Sequence, residues 1–149
     1  SIAGAMGYGQ FMPDSYRKYA VDFDADGIRD ILNNPVDAIG SVANFLSKKG
    51  KWKPNTPIAI QAKSTSNQTI FKSKFKPYMT LNELNEIGLE PKEKISGNLK
   101  FVPISLELNE GYEHWLGFDN YYSLSRYNRS KLYVMAVIEF SRSLSIYLK

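Results

Sequence analysis

Ser1-Ile-Ala-Gly-Ala-Met-Gly-Tyr-Gly-Gln-Phe-Met-Pro13 opens the chain and crowds glycines, one amide and several aromatic or sulfur side chains into a single turn. Glycine accepts left-handed backbone at little steric cost, so the segment predicts a tight loop of the kind that grips a polymer. Pro13 fits the first turn of a short helix reaching Ala20. A better-marked helix follows. Asn34 can cap it, Pro35 takes its first position, and Asp37 sits in its first turn. Val36, Ile39, Gly40, Ala43 and Leu46 recur at helical spacing, and Lys48-Lys49-Gly50 closes it.

Between these helices, Asp22-Phe23-Asp24-Ala25-Asp26-Gly27-Ile28 sets three carboxylates at alternate positions before a glycine. An EF-hand loop folds oxygens around a hard cation in this order, with Gly27 at the sharp turn and the Ile28 carbonyl as a main-chain ligand. The twelfth position, a bidentate Glu in the standard loop, is Asn33 here, so the strict pattern fails. Asp37 is the expected replacement. Carboxylates this close repel unless a cation or basic group intervenes, which favours a divalent ion held by Asp22, Asp24, Asp26, Ile28 and Asp37. Calcium fits better than magnesium, which demands near-ideal octahedral geometry and keeps its waters. The ion's expected role is structural. The competing reading is a solvated acidic loop in which Asp37 only favours a helix start.

From Trp52 to Tyr112 the chain changes to strand-forming runs, Ile58 to Ile60, Ile70 to Phe75 and Phe101 to Leu108, separated by turn residues. Within them Thr80-Leu81-Asn82-Glu83 has capping-box form and predicts a short helix closed by Gly88. After Trp115-Leu116-Gly117 the pattern is helical again, and residues 131 to 147 are apolar on nearly every face, which predicts a buried helix. The expected architecture is α+β: a helical lobe over 1–51, a strand-rich insert over 52–112, and a return to the lobe over 113–149. The last helix needs more cover than this order supplies, so the chain reads as a fragment of a larger domain that lacks helices preceding Ser1.

The 149 residues, 43% of them hydrophobic, allow one core and at most a small subdomain besides. No apolar run approaches the roughly 18 to 20 residues of a spanning helix, and no charged-then-apolar leader precedes Ser1. The absence of Cys removes disulfides, zinc–thiolate sites and thiol catalysis. A net charge of +4 favours an anionic partner. Lys72, Lys74 and Lys76 alternate with Phe71 and Phe75, which fits an exposed strand face better than a nucleic-acid groove, so no nucleic-acid partner is expected.

The opening motif, the acidic loop with its helix, and Arg126-Tyr127-Asn128 together resemble the membrane-bound lytic murein transglycosylase B family. The resemblance spans essentially the whole chain, although the insert matches by layout only. It implies a mainly helical, lysozyme-like lobe and cleavage of the MurNAc–GlcNAc bond of peptidoglycan without water. One Glu acts as acid, the N-acetyl group assists, and the sugar's own 6-hydroxyl attacks to give a 1,6-anhydro product. By the same resemblance that Glu lies upstream of Ser1, so the chain alone is expected to be inactive and to need the missing N-terminal segment of its own protein.

Carried over by motif position, Ser1 and Gln10 bond the sugar or orient the acid, while Tyr8, Phe11 and Met12 shape the groove. Tyr127 lines the cleavage subsite, Asn128 contacts the N-acetyl group or the reacting sugar, and Tyr133 stands one helical turn further along. Each also has a plainer reading, as loop amide, core aromatic or helix cap. Trp115 is expected nearer the substrate than Trp52, and the lone His114 is a poor ligand or base. The resemblance further implies peptidoglycan glycan strands as partner and a periplasmic or outer-membrane location in a Gram-negative bacterium, any membrane anchor lying in the absent N-terminus. The rival reading is a non-catalytic protein that binds peptidoglycan or another polysaccharide.

Overall fold

Asn34 sets the first long helix as the sequence predicts: its side-chain oxygen accepts from the main-chain N–H groups of Val36 and Asp37, with Pro35 at the first position. The computed structural model describes residues 2–65 and 74–148, divided into two units, Ser1–Trp52 and Lys53–Lys149. Ser1 lies outside the described residues, as do Ile70, Phe71 and Lys72 of the expected strand.

The first unit holds α1 (Pro13–Tyr19) and α2 (Pro35–Lys48). They pack through Phe45, whose ring meets Tyr19 edge-on at 5.1 Å and Phe11 at 5.9 Å. Ala20, Ile31 and Ala38 complete its buried apolar set. Gly40 lets the acidic loop press on α2, because a Cβ there would stand 2.3 Å from Cγ of Phe23.

The second unit is built on a four-stranded antiparallel sheet of β1 (Ala59–Ser64), β2 (Leu89–Pro91), β3 (Val102–Glu107) and β4 (Tyr112–Gly117), in the order β2-β1-β4-β3. Ile60 pairs with Leu116 and Ile104 with Trp115. Side chains alternate across a strand, so Leu116 and Trp115 serve opposite faces. On the Leu116 side, Ile60, Ala62, Leu84, Leu89, Phe101 and Phe118 form the core. Helix α3 (Leu81–Glu86) contributes Leu84 to it and starts at a complete Thr80–Glu83 capping box. Helices α4 (Asp119–Ser125) and α5 (Lys131–Tyr147) follow. The Arg142 guanidinium of α5 lies 4.7 Å from the Trp115 ring and donates to the Ala59 carbonyl at 2.8 Å, which holds α5 on the other face.

The α+β expectation, helical with a small sheet, holds, and the structure corrects three details. Tyr112–Gly117 is a strand paired with β1 and β3, so the strand-rich part extends to Gly117 rather than ending at 112, and helix resumes after Gly117 as the pattern predicts. Lys74 and Phe75 are not in a strand. Helix α5 buries only Val134, Met135 and Ile138, while Leu132, Phe140, Leu144 and Tyr147 are exposed. An apolar pattern on every face calls for cover on every face, and the described residues cover α5 along one stripe.

Asn120 ties the entry of the second unit to α4. Fully buried, it accepts from the Lys53 N–H at 2.9 Å and donates to the carbonyls of Lys53 and Thr56 at 2.8 and 3.0 Å. Asn120→Ala removes three hydrogen bonds to the part-buried main chain of Lys53 and Thr56, and we expect it to lower stability by about 1–3 kcal/mol in urea denaturation.

Candidate functional site

In the first unit the opening loop is a tight hairpin. Met6 and Phe11 exchange both main-chain hydrogen bonds at 2.9 Å, and Tyr8 N–H donates to the Ile31 carbonyl at 3.2 Å. Gly7 is required here: at φ +66° its hypothetical Cβ would lie 2.1 Å from the Ile31 oxygen. Gln10 adopts φ +48°, a left-handed conformation that costs a residue with a Cβ roughly 1–2 kcal/mol. Its amide nitrogen donates to the Gly7 carbonyl at 2.9 Å, so that donor serves the loop, and the amide oxygen is the group left for a ligand. Tyr8 is 66% exposed and borders an apolar hollow of about 370 Å³ with Gly9, Pro35, Ala38, Ile39 and Val42. Met12 is exposed beside it in sequence. Phe11, expected to line a groove, is instead 3% exposed against Phe45. Burying its ring outweighs offering it to a ligand, so Phe11 supports the loop from behind.

The acidic loop converges on one point. Asp22, Asp24 and Asp37 each place a carboxylate oxygen within 4.8 Å of the others. Calcium holds oxygens at about 2.3–2.6 Å, so two of its ligands lie no more than about 5 Å apart, and the three carboxylates fit that limit. Asp37 is wholly buried. Its Oδ1 accepts from Phe23 N–H at 2.7 Å and its Oδ2 from Asp30 N–H at 2.8 Å, which pins both arms of the loop to the start of α2. Asp22 accepts from the N–H groups of Asp26 and Gly27 at 3.2 and 2.8 Å.

The Asn34 amide donates to Asp24 at 2.8 Å and, ahead of the opposing effect of burial, holds the Asp24 carboxyl below the usual carboxylate range. Asn34 is a residue the sequence reading assigned only to the cap. Asp26 stands outside the convergent group, its carboxylate accepting from Ile28 N–H at 2.8 Å. Asp26 therefore closes its own turn onto the Ile28 N–H. Ala25 and Gly27 have φ of +62° and +91°. Gly27 adopts its φ freely, whereas Ala25 holds a strained left-handed backbone.

In the second unit the α4–α5 turn sets Tyr127 and Tyr133 face to face, ring centroids 6.5 Å apart and planes at 11°. Ser130 caps α5 by accepting from Tyr133 N–H at 3.3 Å, which fixes the turn that brings these rings together. Burial first, then the neighbouring Tyr133, push the Tyr127 hydroxyl up to about 12, so it stays protonated. Asn128 is exposed, its main-chain N–H donating to Leu124 at 3.3 Å. Its side chain carries both a donor and an acceptor into solvent.

Trp115 is not placed for a ligand, being 3% exposed beneath Arg142. His114 is buried with Nδ1 3.1 Å from Ser105 Oγ, and burial pushes its imidazole below the ordinary value. Of the glutamates, Glu83 caps α3, Glu90 pairs with Lys63, Glu113 accepts from Gln61, and Glu139 pairs with Arg142. The Thr80 main-chain N–H holds the Glu83 carboxyl below its usual range, the reverse of what a proton donor needs.

Residues 1–142 match the family described as Transglycosylase SLT domain. The chain is 38% identical over 146 residues to membrane-bound lytic murein transglycosylase B of Escherichia coli strain K12, covering 98% of this chain and 39% of that protein. The Escherichia coli lytic transglycosylase Slt35, solved in complex with calcium, matches with a TM-score of 0.88 at 38% identity, over 99% of this chain and 46% of that one. SltB3 from Pseudomonas aeruginosa, solved with NAG-NAM-pentapeptide, gives 0.73 at 32% identity, over 92% of this chain and 37% of that one. The chain therefore spans less than half the length of these relatives. With its sequence matched almost end to end and its fold shared with these solved enzymes, the chain belongs to the transglycosylase SLT domain family.

Proposed function

We propose that these 149 residues form the glycan-holding part of a peptidoglycan lytic transglycosylase whose proton-donating Glu is supplied by another part of the same protein. The observation that carries this reading is the stacked Tyr127–Tyr133 pair beside the exposed Asn128 amide, in a chain of this family. A sugar ring offers an apolar face to aromatic rings and polar edges to hydrogen-bonding groups. In this reading Tyr127 and Tyr133 form the wall of one sugar subsite, and Asn128 bonds the N-acetyl amide of the reacting sugar through both its donor and its acceptor. In the first unit the Tyr8 hollow receives a sugar face and the Gln10 oxygen accepts from a sugar hydroxyl.

The reaction we assign to the parent protein breaks the MurNAc–GlcNAc bond. The external Glu protonates the leaving oxygen as the C1–O bond breaks, the N-acetyl group assists at the anomeric carbon, and the 6-hydroxyl closes the 1,6-anhydro ring as it passes its proton to the Glu carboxylate. This chain's share is to bind and orient, because its own glutamates serve caps, ion pairs and open surface. We place the parent in the periplasm or at the outer membrane of a Gram-negative bacterium. Among the described residues no helix is long and apolar enough to cross a membrane.

Asp22, Asp24 and Asp37, with the Ile28 carbonyl, are the groups we assign to a calcium ion; a relative at 38% identity was solved in complex with calcium, which supports the choice of ion. When bound, the ion supplies charge neutralisation that fixes the acidic loop. The residues do the rest: Asp37 anchors the loop to α2, and Asp26 closes its own turn onto the Ile28 N–H.

Calcium at 100-fold over its Kd should stabilise the fold by about 2.7 kcal/mol, and chelator should remove that gain. Asp24→Asn should abolish the calcium response in thermal melting while changing the metal-free melting temperature little, since Asp24 is exposed. Asn128→Ala should weaken binding of NAG-NAM by roughly tenfold in titration calorimetry, the loss expected for two amide hydrogen bonds. The 149-residue chain should release no 1,6-anhydromuropeptides from sacculi, whereas the parent protein should. Release by the chain alone would sink the external-acid assignment, and inactivity of the parent would favour a polysaccharide-binding protein that does not cut.

A further inference from the structure

A hollow of about 420 Å³ in the second unit is lined by Lys74, Phe75, Lys76, Tyr78, Tyr122 and Arg129. Its volume lies within the range of about 300–1,000 Å³ typical of small-ligand sites. Its lining holds three cations and no carboxylate. None of the ion pairs among the described residues involves Lys74, Lys76, Arg129 or the nearby Arg126. Residues 66–73, which precede Lys74 in the sequence, include no Asp or Glu.

The cations are held over aromatic faces instead. The Lys74 ammonium stands 4.2 Å from the Tyr78 ring centroid, and the Arg129 guanidinium 6.0 Å from that of Phe75. Arg126 lies 5.8 Å from the Tyr122 ring and donates to its hydroxyl at 3.3 Å. The wall behind is rigid: Phe75 stacks on the buried Tyr121 at 6.2 Å, and Tyr121 closes on Gly117, where a Cβ would stand 2.8 Å from its Cγ.

Cations gathered without a counter-charge repel one another, and an anion entering the hollow relieves that repulsion. A guanidinium grips a carboxylate through two parallel hydrogen bonds, and the aromatic walls accept apolar side chains, a pairing that suits a short acidic peptide better than a bare phosphate. Arg129 directly follows Asn128. Two residues of chain span at most about 7 Å, and an extended peptide of five residues about 17 Å, so a peptide branching from a sugar held at Asn128 can reach the hollow.

We propose that this hollow is the subsite for the carboxylates of an acidic peptide carried on the glycan strand. The proposal rests on the glycan-binding reading of Tyr127 and Asn128. Titration calorimetry of the protein with NAG-NAM-pentapeptide, peptide-free NAG-NAM and inorganic phosphate tests it. The pentapeptide ligand should bind more tightly than the bare disaccharide, by a margin that shrinks as salt rises. Arg129→Gln and Lys74→Gln should each weaken NAG-NAM-pentapeptide roughly tenfold and leave NAG-NAM unchanged.

Lys74 is exposed, so the second variant keeps the test independent of folding. Equal wild-type affinities for the two sugar ligands, or variants that lose nothing for the peptide-bearing one, overturn the subsite and leave the glycan reading intact. Phosphate that erases the pentapeptide's advantage at submillimolar concentration identifies a general anion site and overturns the peptide assignment. Wild-type failure to bind either sugar ligand removes both readings together, a pattern distinct from failure of the hollow alone.

Discussion

The Asp37 carboxylate is the constraint on which the first unit depends. It is wholly buried, and its two oxygens accept from Phe23 and Asp30, on the two arms of the acidic loop. A buried carboxylate is costly unless its oxygens are satisfied, so the loop must fold to meet it rather than float free. Asp30 is followed by Ile31, whose carbonyl accepts from Tyr8 and sits against Gly7. The opening hairpin is therefore registered on the acidic loop, and the acidic loop on α2. A loop rich in glycine and left-handed backbone acquires a defined shape by leaning on a regular helix, whose Gly40 makes room for Phe23.

The second unit solves the same problem with packing. Gly117 at the end of β4 lets the Tyr121 ring close on the sheet, and Tyr121 in turn supports Phe75. Asn120, one residue earlier, satisfies main-chain groups of Lys53 and Thr56 from within α4. Helix α4 is only Asp119–Ser125, too short to be stable on propensity alone, yet it carries the turn that bears Tyr127, Asn128 and Arg129. Its order comes from the sheet beneath it and the loop clamped beside it.

What the sequence makes legible here is what is encoded locally. The Asn34 cap and the Thr80–Glu83 box each depend on residues a few positions apart, and each forms as read; of the alternate aspartates, Asp22 and Asp24 converge with Asp37 and Asp26 does not. Partners distant in sequence are not legible. Trp115 reads as a candidate sugar platform until Arg142, 27 positions on, is found over its ring. Phe11 reads as a groove wall until Phe45 claims it. Lys74 and Lys76 read as one face of a strand, because alternation alone cannot tell an extended segment that pairs from one that lines a hollow. Asp26 fits the pattern of ligands by position, but whether a carboxylate turns inward or closes its own turn is a matter of rotamer, which spacing does not encode.

Among the described residues with a Cβ, left-handed backbone occurs at Lys51 and Asn55 and, in the two loops assigned to sugar and ion, at Gln10 and Ala25. The energy that keeps Gln10 and Ala25 there comes from the Asp22 and Asp37 hydrogen bonds and from the pairing of Met6 with Phe11. Carboxylates that gather without a cation oppose that arrangement by mutual repulsion, and a cation among them removes the opposition. In the proposed reading, ion binding and the shape of the opening loop are thus coupled through Asp30 and Ile31. A structural ion can set the affinity of a glycan loop in this way without touching the glycan.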